Sequence, residues 1–388
     1  MTTATDAPAI VGIYESEIGD LGGLTAVELQ ALAVRGALAD AGMTLPDTDA
    51  LYALAPYSQP HAMFALSLAE YLGLRCSIAE TVDVGGTATP MMMIKHAIDG
   101  IRSGLHGTAV CVFGEAARTG RPHSGHGWTL GSEFGTEEWE QPAGLVGLVS
   151  PYALLAQRYL HEYGTSREGF CAVSLAMREH ARRKPNAVMR DKPLTRDDYF
   201  GARMISDPIS LYDCSVIVDG AGALVITSAD RARDVAHRPV TVLGTGSAQT
   251  HKHLSQLTPL DQLGMGEAAR RSFGQAGIGI ADVDVLYAHD AFTVSTMLTI
   301  EGVGLCGPGE GEAYARAGQL ALGSPCPVNT HGGLLSQGHT GGILNYTEAV
   351  TQLRGDAADR QVPNAEIAVV AGTGGLFGMC GVMTLGRG

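Results

Sequence analysis

Four polar, glycine-rich segments hold the residues of this chain that could do chemistry. They are DVGGTATP (83–90), HDAFT (289–293), GGLLSQGHTGG (332–342) and GTGGLFG (372–378). Each lies beside a segment that is typical of a buried strand, and α/β folds place their sites where strands meet helices. A single glycine-rich turn is weak evidence, since glycines also mark ordinary turns. The set of four in this order predicts one composite site.

The elements that must position these segments alternate along the chain. Short apolar runs separated by amphipathic stretches indicate an α/β fold. The predicted strands are 9–13, 108–113, 222–226, 240–243 and 367–371, and two of the predicted helices are 25–41 and 263–276. The uncharged stretch 367–386 is rich in glycine and is predicted to be a buried hairpin, not a membrane span.

The chain repeats itself. AGMTLPDTDALYA from Ala41 matches AGIGIADVDVLYA from Ala276 at seven of thirteen positions, and AIDGIR from Ala97 matches AVTQLR from Ala349. The offsets between the copies are 235 and 252 residues, and a predicted strand follows each copy of the second match. The pattern predicts a duplicated α/β unit with halves at 1–235 and 236–388. The first half carries an insertion from about 117 to 205.

Composition excludes several classes of function. The chain has 26 basic and 40 acidic side chains and a net charge of −14, which disfavours a nucleic-acid-binding surface. The one dense basic run, REHARRK (178–184), is interpreted as a solvated helix face. The segment HSGHG (123–127) could offer two metal ligands, but histidines three apart without a carboxylate are more typical of a loop, so no metal site is predicted.

The seven cysteines include no CxxC pair, which excludes the usual zinc spacings and a secreted disulfide framework. The beginning of the chain lacks a basic region followed by an apolar run, so no signal peptide is predicted. Reduced thiols and a cytoplasmic location fit these features best.

Several motifs together resemble the thiolase superfamily. They are ADAGMTLPDTDALYA, AIDGIRSG with AVCVFGEA, YLHEYGTSREGF, the run SDP…DCS…VDGAGALVI, HDAF and GGLLSQGHTGG, and they cover almost the whole chain. More narrowly, the sequence is similar to the sterol-carrier-protein-X-type thiolases and their bacterial thiolase-like relatives. The resemblance implies a duplicated five-layer αβαβα fold that dimerises.

The departures from the thiolase pattern concern the cysteines. The resemblance places His339 at the GH histidine, His289 at the HDxF histidine and Gly372 at the second cysteine. Counting back 252 residues from His339 places the nucleophile position at Thr87, or at Gly86 with a slip of one residue. Neither residue can form the thiolate on which an acyl-enzyme depends. Ordinary thiolysis or Claisen condensation is therefore not expected.

The remaining part of the site implies enolate chemistry. By resemblance, His289 and His339 point hydrogen-bond donors at a thioester oxygen and form an oxyanion hole. Retro-aldol cleavage of a 3-hydroxyacyl-CoA needs a thioester enolate but no covalent acyl group. The sequence resembles thiolase-like aldolases of sterol side-chain degradation that also lack the cysteine. The expected substrate-binding residues are Gly86, Thr87, Gly338 and Gly374.

The acid–base group is left open among a few side chains. Tyr346 follows His339 by a little under two helical turns, and it is either a phenol that exchanges a proton or a buried core tyrosine. Asp290 either orients His289 and exchanges a proton or caps a helix. Tyr212 has weaker grounds. Cys306 and Cys326 are interpreted as inert thiols, not displaced nucleophiles.

Two other functions remain possible on the sequence: an acyltransferase with a relocated cysteine, and a non-catalytic acyl-CoA-binding subunit. The resemblance also implies a homodimer that works with a separate OB-fold/zinc-ribbon protein. Coenzyme A is expected as part of the substrate, with no covalently bound cofactor.

Overall fold

The computed structural model describes residues 7–59, 61–120, 136–145 and 147–388. Its strands are β1 Ala9–Glu15, β2 Ala50–Ala53, β3 Ile78–Thr81, β4 Thr108–Ala116, β5 Met204–Ser206, β6 Ile209–Ser210, β7 Asp219–Thr227, β8 Val240–Gln249, β9 Val285–Ala288, β10 Ile367–Gly374 and β11 Met379–Arg387. Its α-helices are α1 Ala26–Asp40, α2 Phe64–Leu72, α3 Thr89–Arg102, α4 Val149–Tyr163, α5 Arg167–Ala181, α6 Arg196–Gly201, α7 Ala229–Ala232, α8 Met265–Ala276, α9 Thr293–Val303, α10 Gly311–Arg316, α11 Gly333–Ser336 and α12 Ile343–Arg354.

Nine strands form one mixed sheet, and its two halves have the same strand arrangement in opposite order. The strand order is β3-β2-β4-β7-β1 and then β8-β11-β10-β9. In each half, a parallel pair (β2 with β4, β9 with β10) is followed by two antiparallel neighbours. Beyond β9, a parallel bridge from Leu286 to Val328 takes the place that β3 has beside β2. The two half-sheets are joined by two residue pairs of β1 and β8, Ala9 with Thr241 and Ile10 with Val240.

The sequence repeat has a matching repeat in hydrogen bonds. The carboxylate of Asp49, just before β2, accepts the backbone N–H groups of Gly107 and Thr108 at the start of β4. The carboxylate of Asp284, just before β9, accepts those of Glu366 and Ile367 at the start of β10. The repeated aspartate therefore joins the ends of two neighbouring parallel strands in each half.

Helices cover both halves in the layered arrangement that the resemblance to the thiolase superfamily implies. Helices α3 and α12 pack between the two half-sheets, in a hydrophobic cluster to which both sheets contribute. Helices α1 and α2 cover the outer face of the first half-sheet, and α8 and α9 cover that of the second. Apolar side chains buried on both faces of the strands account for the fold, since burial of such area is the main stabilising term.

Local signals explain where the predicted elements begin and end. Thr25 caps α1 through a capping box with Glu28, so the helix begins one residue later than the predicted range 25–41. Helix α8 begins at Met265 and ends at Ala276, and the next residue, Gly277, adopts the left-handed conformation. The stretch 367–386 forms the antiparallel hairpin β10–β11. In the described parts of the chain, no helix is long and apolar enough to cross a membrane.

The interpretation of REHARRK as a solvated helix face is wrong for three of its polar residues. Arg178, His180 and Lys184 are buried. The guanidinium of Arg178 donates to the carbonyl of Lys192 at 2.7 Å and lies over the ring of Tyr212. The run was misjudged because a cluster of charges in the sequence does not show that buried carboxylates of other elements pair with Lys184.

Those carboxylates belong to a buried ionic cluster between the halves. The Lys184 ammonium lies 2.9 Å from Glu15 of β1 and 3.0 Å from Glu348 of α12. Arg360 donates two further hydrogen bonds to Glu348, at 2.8 and 3.0 Å. These cations hold the pKa of Glu15 and Glu348 below the ordinary value, against the opposite effect of burial. The cluster therefore ties together β1, the insertion and the second half.

The segment HSGHG lies outside the described residues. Within the described ranges, no group of three or more histidine, cysteine, aspartate or glutamate side chains could hold a metal ion.

We expect Lys184→Met to lower the free energy of unfolding by about 3–5 kcal/mol, because it leaves two buried carboxylates short of a cation. Lys95→Met is the matched control, since Lys95 pairs with Asp99 on the surface of α3 and should cost at most about 1 kcal/mol. Denaturant unfolding of both variants measures the difference. Equal losses would show that the buried cluster contributes no more than a surface pair.

Candidate active site

Three of the four predicted segments meet at the hydroxyl of Thr87, and the fourth packs against the same side chain through Gly342. Its hydroxyl oxygen lies 2.8 Å from Nδ1 of His289, accepts the backbone N–H of Thr373 at 2.9 Å and lies 3.3 Å from the Thr373 carbonyl. Thr87 lies in a short 3-10 turn immediately before α3, His289 follows β9, and Thr373 lies at the end of β10. The structure thus joins the first half to the second at one buried hydroxyl.

Glycines allow the two backbones to approach this closely. A Cβ on Gly86 would lie 2.5 Å from the carbonyl oxygen of Thr373, and one on Gly374 would lie 2.4 Å from that of Val84. Both distances are shorter than side chains tolerate, and Gly86 also has a positive φ of 45°. Gly86 and Gly374 therefore act on the site through the backbone contact between the two loops.

His289 is buried and neutral. Desolvation, with a smaller contribution from a positive charge on His339, lowers its pKa to about 3. The ring of Phe377 meets it edge-on, with the ring centroids 6.1 Å apart. Its Nε2 atom is fully buried and has no hydrogen-bond partner among the described residues. A buried ring nitrogen without a protein partner is available to a substrate atom.

His339 follows Gly338 at the other side of the site and is only partly buried. Its backbone N–H donates to the carbonyl of Val216 at 2.9 Å, and a parallel bridge joins it to Ile217. This pairing attaches the GH loop to the segment that precedes β7. Gly338 itself is buried beside the side chains of Ile18 and Val218.

A cavity of about 430 Å³ adjoins that segment. Its walls are mostly apolar, and two arginines, Arg118 and Arg178, take part in its lining. The remaining lining includes Tyr212, Val216, Ile217, Leu335 and Ser336. Val216 and Ile217, whose backbones pair with that of His339, are two of the residues that line this cavity.

Asp290 occupies the start of helix α11. Its two carboxylate oxygens accept the backbone N–H groups of Leu334 and Leu335 at 2.9 and 3.3 Å. Burial nevertheless raises its pKa to about 7, because these hydrogen bonds offset only part of the desolvation cost. These contacts are those of a helix cap, and they fix the loop that leads from α11 to His339.

Tyr346 lies on α12 in the hydrophobic cluster between the half-sheets. Burial raises its pKa far above the ordinary value, so the phenol keeps its proton. Its hydroxyl is buried and has no hydrogen-bond partner among the described residues. Tyr212 lies at the cavity, with its ring beneath Arg178.

Burial makes all the thiols poor nucleophiles. It raises the pKa of Cys171 to about 11 and those of Cys214, Cys306, Cys326 and Cys380 to about 12. The pKa values of Cys76 and Cys111 are raised as well. An acyl-accepting cysteine needs the opposite shift, which a nearby cation or helix N-terminus provides. At the predicted second-cysteine position, a Cβ on Gly372 would lie 2.1 Å from the carbonyl oxygen of Thr87.

Comparisons with known proteins agree with this geometry. Residues 246–387 match the family described as thiolase C-terminal domain-like. The 17-hydroxy-3-oxo-4-pregnene-20-carboxyl-CoA lyase of Mycobacterium tuberculosis is 33% identical over 94% of this chain and 96% of its own length. This chain belongs to the thiolase superfamily. An acetyl-CoA acetyltransferase of Methanothermobacter thermautotrophicus is 31% identical over 98% of this chain and 99% of its own length.

Among solved structures, the Ltp2-ChsH2(DUF35) aldolase superposes with a TM-score of 0.89 and 28% identity, covering 100% of this chain and 99% of that one. This superfamily thus includes both lyases and acyltransferases at similar distances from the chain. The residues of the site must therefore distinguish the two reactions, and the hydroxyl of Thr87 and the protonated thiols favour the lyase.

Sequence reasoning missed two features of the site. It placed Thr87 at the nucleophile position and among the substrate-binding residues, but not as a hydrogen-bond partner of His289. It also missed the cavity beside His339, because the buried Arg178 was interpreted as exposed. The signal that could have revealed the bond from Thr87 to His289 was the polar residue at the position where a thiolase has its nucleophile.

We expect Asp290→Asn to change how stability depends on pH. The pKa of Asp290 is raised in the folded state, so its stabilising contribution is full below about pH 4 and is lost as pH rises through 7. Relative to the wild type, the variant should gain a few kcal/mol of unfolding free energy between pH 5 and pH 8.

Chemical denaturation at the two pH values measures this difference. Asp99→Asn, at an exposed position of α3, is the control and should follow the wild type. If the unfolding free energies of Asp290→Asn and the wild type changed equally with pH, the raised pKa of Asp290 would be contradicted.

Proposed function

We propose that this protein is a carbon–carbon lyase that cleaves 3-hydroxyacyl-CoA thioesters by a retro-aldol reaction. The observation that carries the proposal is the hydroxyl of Thr87 at the position where a thiolase needs its acyl-accepting thiol. All the cysteines of the chain have raised pKa values, which removes a substitute thiolate. The reaction that remains is one that needs an enolate but no acyl-enzyme.

The reaction is balanced without any further reactant. A base takes the proton of the β-hydroxyl, the C–O bond becomes a carbonyl, and the Cα–Cβ bond breaks. Its electron pair moves to Cα and the thioester oxygen as an enolate. Protonation of Cα then gives a shorter acyl-CoA, and the other product leaves as a ketone or an aldehyde.

We assign a different role to each of the two histidines. His289 is neutral and presents a buried, unpartnered nitrogen, so we assign it to the enolate oxygen. Asp290 has both oxygens engaged by backbone amides, and Tyr346 keeps its proton, which leaves neither suited as the base. We assign that role to His339, in place of the oxyanion-hole role that the resemblance implies, because it is partly exposed and its backbone pairs with residues that line the cavity. Tyr346 could act only as a donor.

The substrate is proposed to carry a bulky apolar acyl group, of which a steroid side-chain thioester is the leading example. The lyase of Mycobacterium tuberculosis is named for such a substrate. The apolar walls of the cavity beside His339 suit an apolar group, and Arg118 and Arg178 offer positive charge to an anionic part of the thioester.

Two assemblies belong to the proposal. One is the homodimer, and the other is a complex with a separate OB-fold/zinc-ribbon protein that helps to hold the acyl-CoA. The name of the Ltp2-ChsH2(DUF35) aldolase records a second protein with that enzyme, which supports a partner here.

A branched 3-hydroxyacyl-CoA incubated without free coenzyme A tests the reaction. We expect a ketone and a shorter acyl-CoA in equal amounts by liquid chromatography, at a rate that a thiol alkylator leaves unchanged. His289→Ala should lower kcat on the order of 10²–10³-fold through loss of an oxyanion donor. His339→Ala should lower it about 10²–10⁴-fold through loss of a base.

His96→Ala, which removes a partly exposed imidazole of α3, is the matched control and should keep the wild-type rate. Product that appears only when free coenzyme A is added would identify a thiolase and contradict the proposal. So would full activity in both site variants.

The partner is tested by size-exclusion chromatography with light scattering. We expect the chain alone to elute as a dimer, and to co-elute with a co-encoded OB-fold/zinc-ribbon protein at a larger mass. Addition of that protein should raise the cleavage rate. Separate elution with an unchanged rate would contradict the partner.

A further inference from the structure

The hydroxyl of Thr87 has one proton and two acceptors within reach. It accepts the backbone N–H of Thr373 at 2.9 Å, which leaves its own proton for either Nδ1 of His289 at 2.8 Å or the Thr373 carbonyl at 3.3 Å. Hydroxyl donors prefer about 2.7–2.8 Å. A hydroxyl donor therefore fits the contact with Nδ1 better than the 3.3 Å contact with the carbonyl, and in that arrangement Nδ1 of His289 is the acceptor.

This assignment determines where the imidazole carries its own proton. A neutral histidine has one N–H and one lone pair, and the partner of one nitrogen sets the state of the other. Because burial keeps His289 neutral, an accepting Nδ1 means that Nε2 carries the hydrogen. Nε2 is the nitrogen that is buried and has no described protein partner. In the opposite tautomer, Nε2 would present a lone pair and repel an oxyanion.

The surroundings hold the threonine side chain in the required orientation. Thr87 is 2% exposed, and its Cβ and Cγ2 pack against Gly342, where an added Cβ would lie 2.7 and 2.8 Å from them. The methyl group thus lies against the start of α12, while the hydroxyl faces His289 and Thr373. A β-branched side chain fixed at both branches has little freedom to rotate.

We infer that Thr87 is a positioning residue that holds His289 in its Nε2–H tautomer, and so makes this histidine a donor to the thioester oxygen. The inference rests on the proposed lyase function for its catalytic consequence. The tautomer itself does not depend on turnover. The position that holds a nucleophile in a thiolase would here serve to orient the oxyanion hole.

Nitrogen NMR of the full-length protein labelled with ¹⁵N-histidine tests the tautomer directly. His289→Gln identifies the His289 signals by their loss. We expect the wild type at pH 7 to show a protonated Nε2 and an unprotonated Nδ1, with no change down to pH 5. A protonated Nδ1 in the wild type would overturn the inference, whether or not the protein shows lyase activity.

Thr87→Val keeps the shape of the side chain and removes the hydroxyl. We expect the single tautomer pattern to be lost, and kcat for the 3-hydroxyacyl-CoA to fall on the order of 10²-fold with KM changed only a few-fold. Thr87→Ser should restore the pattern and most of kcat. An unchanged pattern and rate in Thr87→Val would overturn the inference.

Thr89→Val is the matched control, because the Thr89 hydroxyl accepts the backbone N–H of Val84 at the same helix start. It should leave the His289 signals unchanged. If Thr87→Val does not fold, the wild-type spectrum together with Thr87→Ser still decides the tautomer. The expected tautomer without any cleavage of 3-hydroxyacyl-CoA would refute the proposed function alone.

Discussion

The site depends on a contact between the two halves that is made by one buried hydroxyl. Thr87, from the first half, reaches Thr373 and His289 of the second half, and the glycines on both sides allow the backbones to touch. A larger side chain at Gly86 or Gly374 would separate the loops, and the hydrogen bonds would be lost with them. The candidate active site is therefore a consequence of how closely the duplicated units pack.

The packing of the halves is also secured by charge. Lys184 of the insertion lies between Glu15 of β1 and Glu348 of α12, and Arg360 completes the neutralisation of Glu348. Buried ion pairs contribute little net stability but are costly to break. Such a cluster therefore favours one arrangement of the halves over others, and the hydroxyl contact at Thr87 needs one such arrangement.

Burial also determines the chemistry that the site can perform. It keeps His289 neutral, raises the pKa of Asp290 to about 7 and holds the thiols protonated. Each shift has the same physical origin, since a low-dielectric surrounding disfavours the charged form. An acyl-enzyme would require a thiolate under these conditions. A hydrogen-bond donor for an enolate requires only a neutral imidazole in the correct tautomer.

Much of the fold could be predicted from the sequence because the two halves carry the same motifs. The repeated Ala-Gly…Asp-x-Asp pattern predicted the duplicated fold. In each half, the second Asp of the pattern accepts hydrogen bonds from the backbone at the start of a neighbouring strand. The absence of cysteine at position 87 pointed to enolate chemistry without an acyl-enzyme. The resemblance to thiolases singled out the two histidines of the HDAF and GH motifs.

Only the tertiary structure decided the rest, because it depends on distances between residues far apart in sequence. The bond from Thr87 to His289 spans 202 positions, and no local pattern reveals it. The burial of Lys184 likewise depends on carboxylates that other elements bring to it, and Arg178 is buried against a carbonyl and an aromatic ring. Sequence patterns report which side chains are available, and packing decides which of them lose water and find each other.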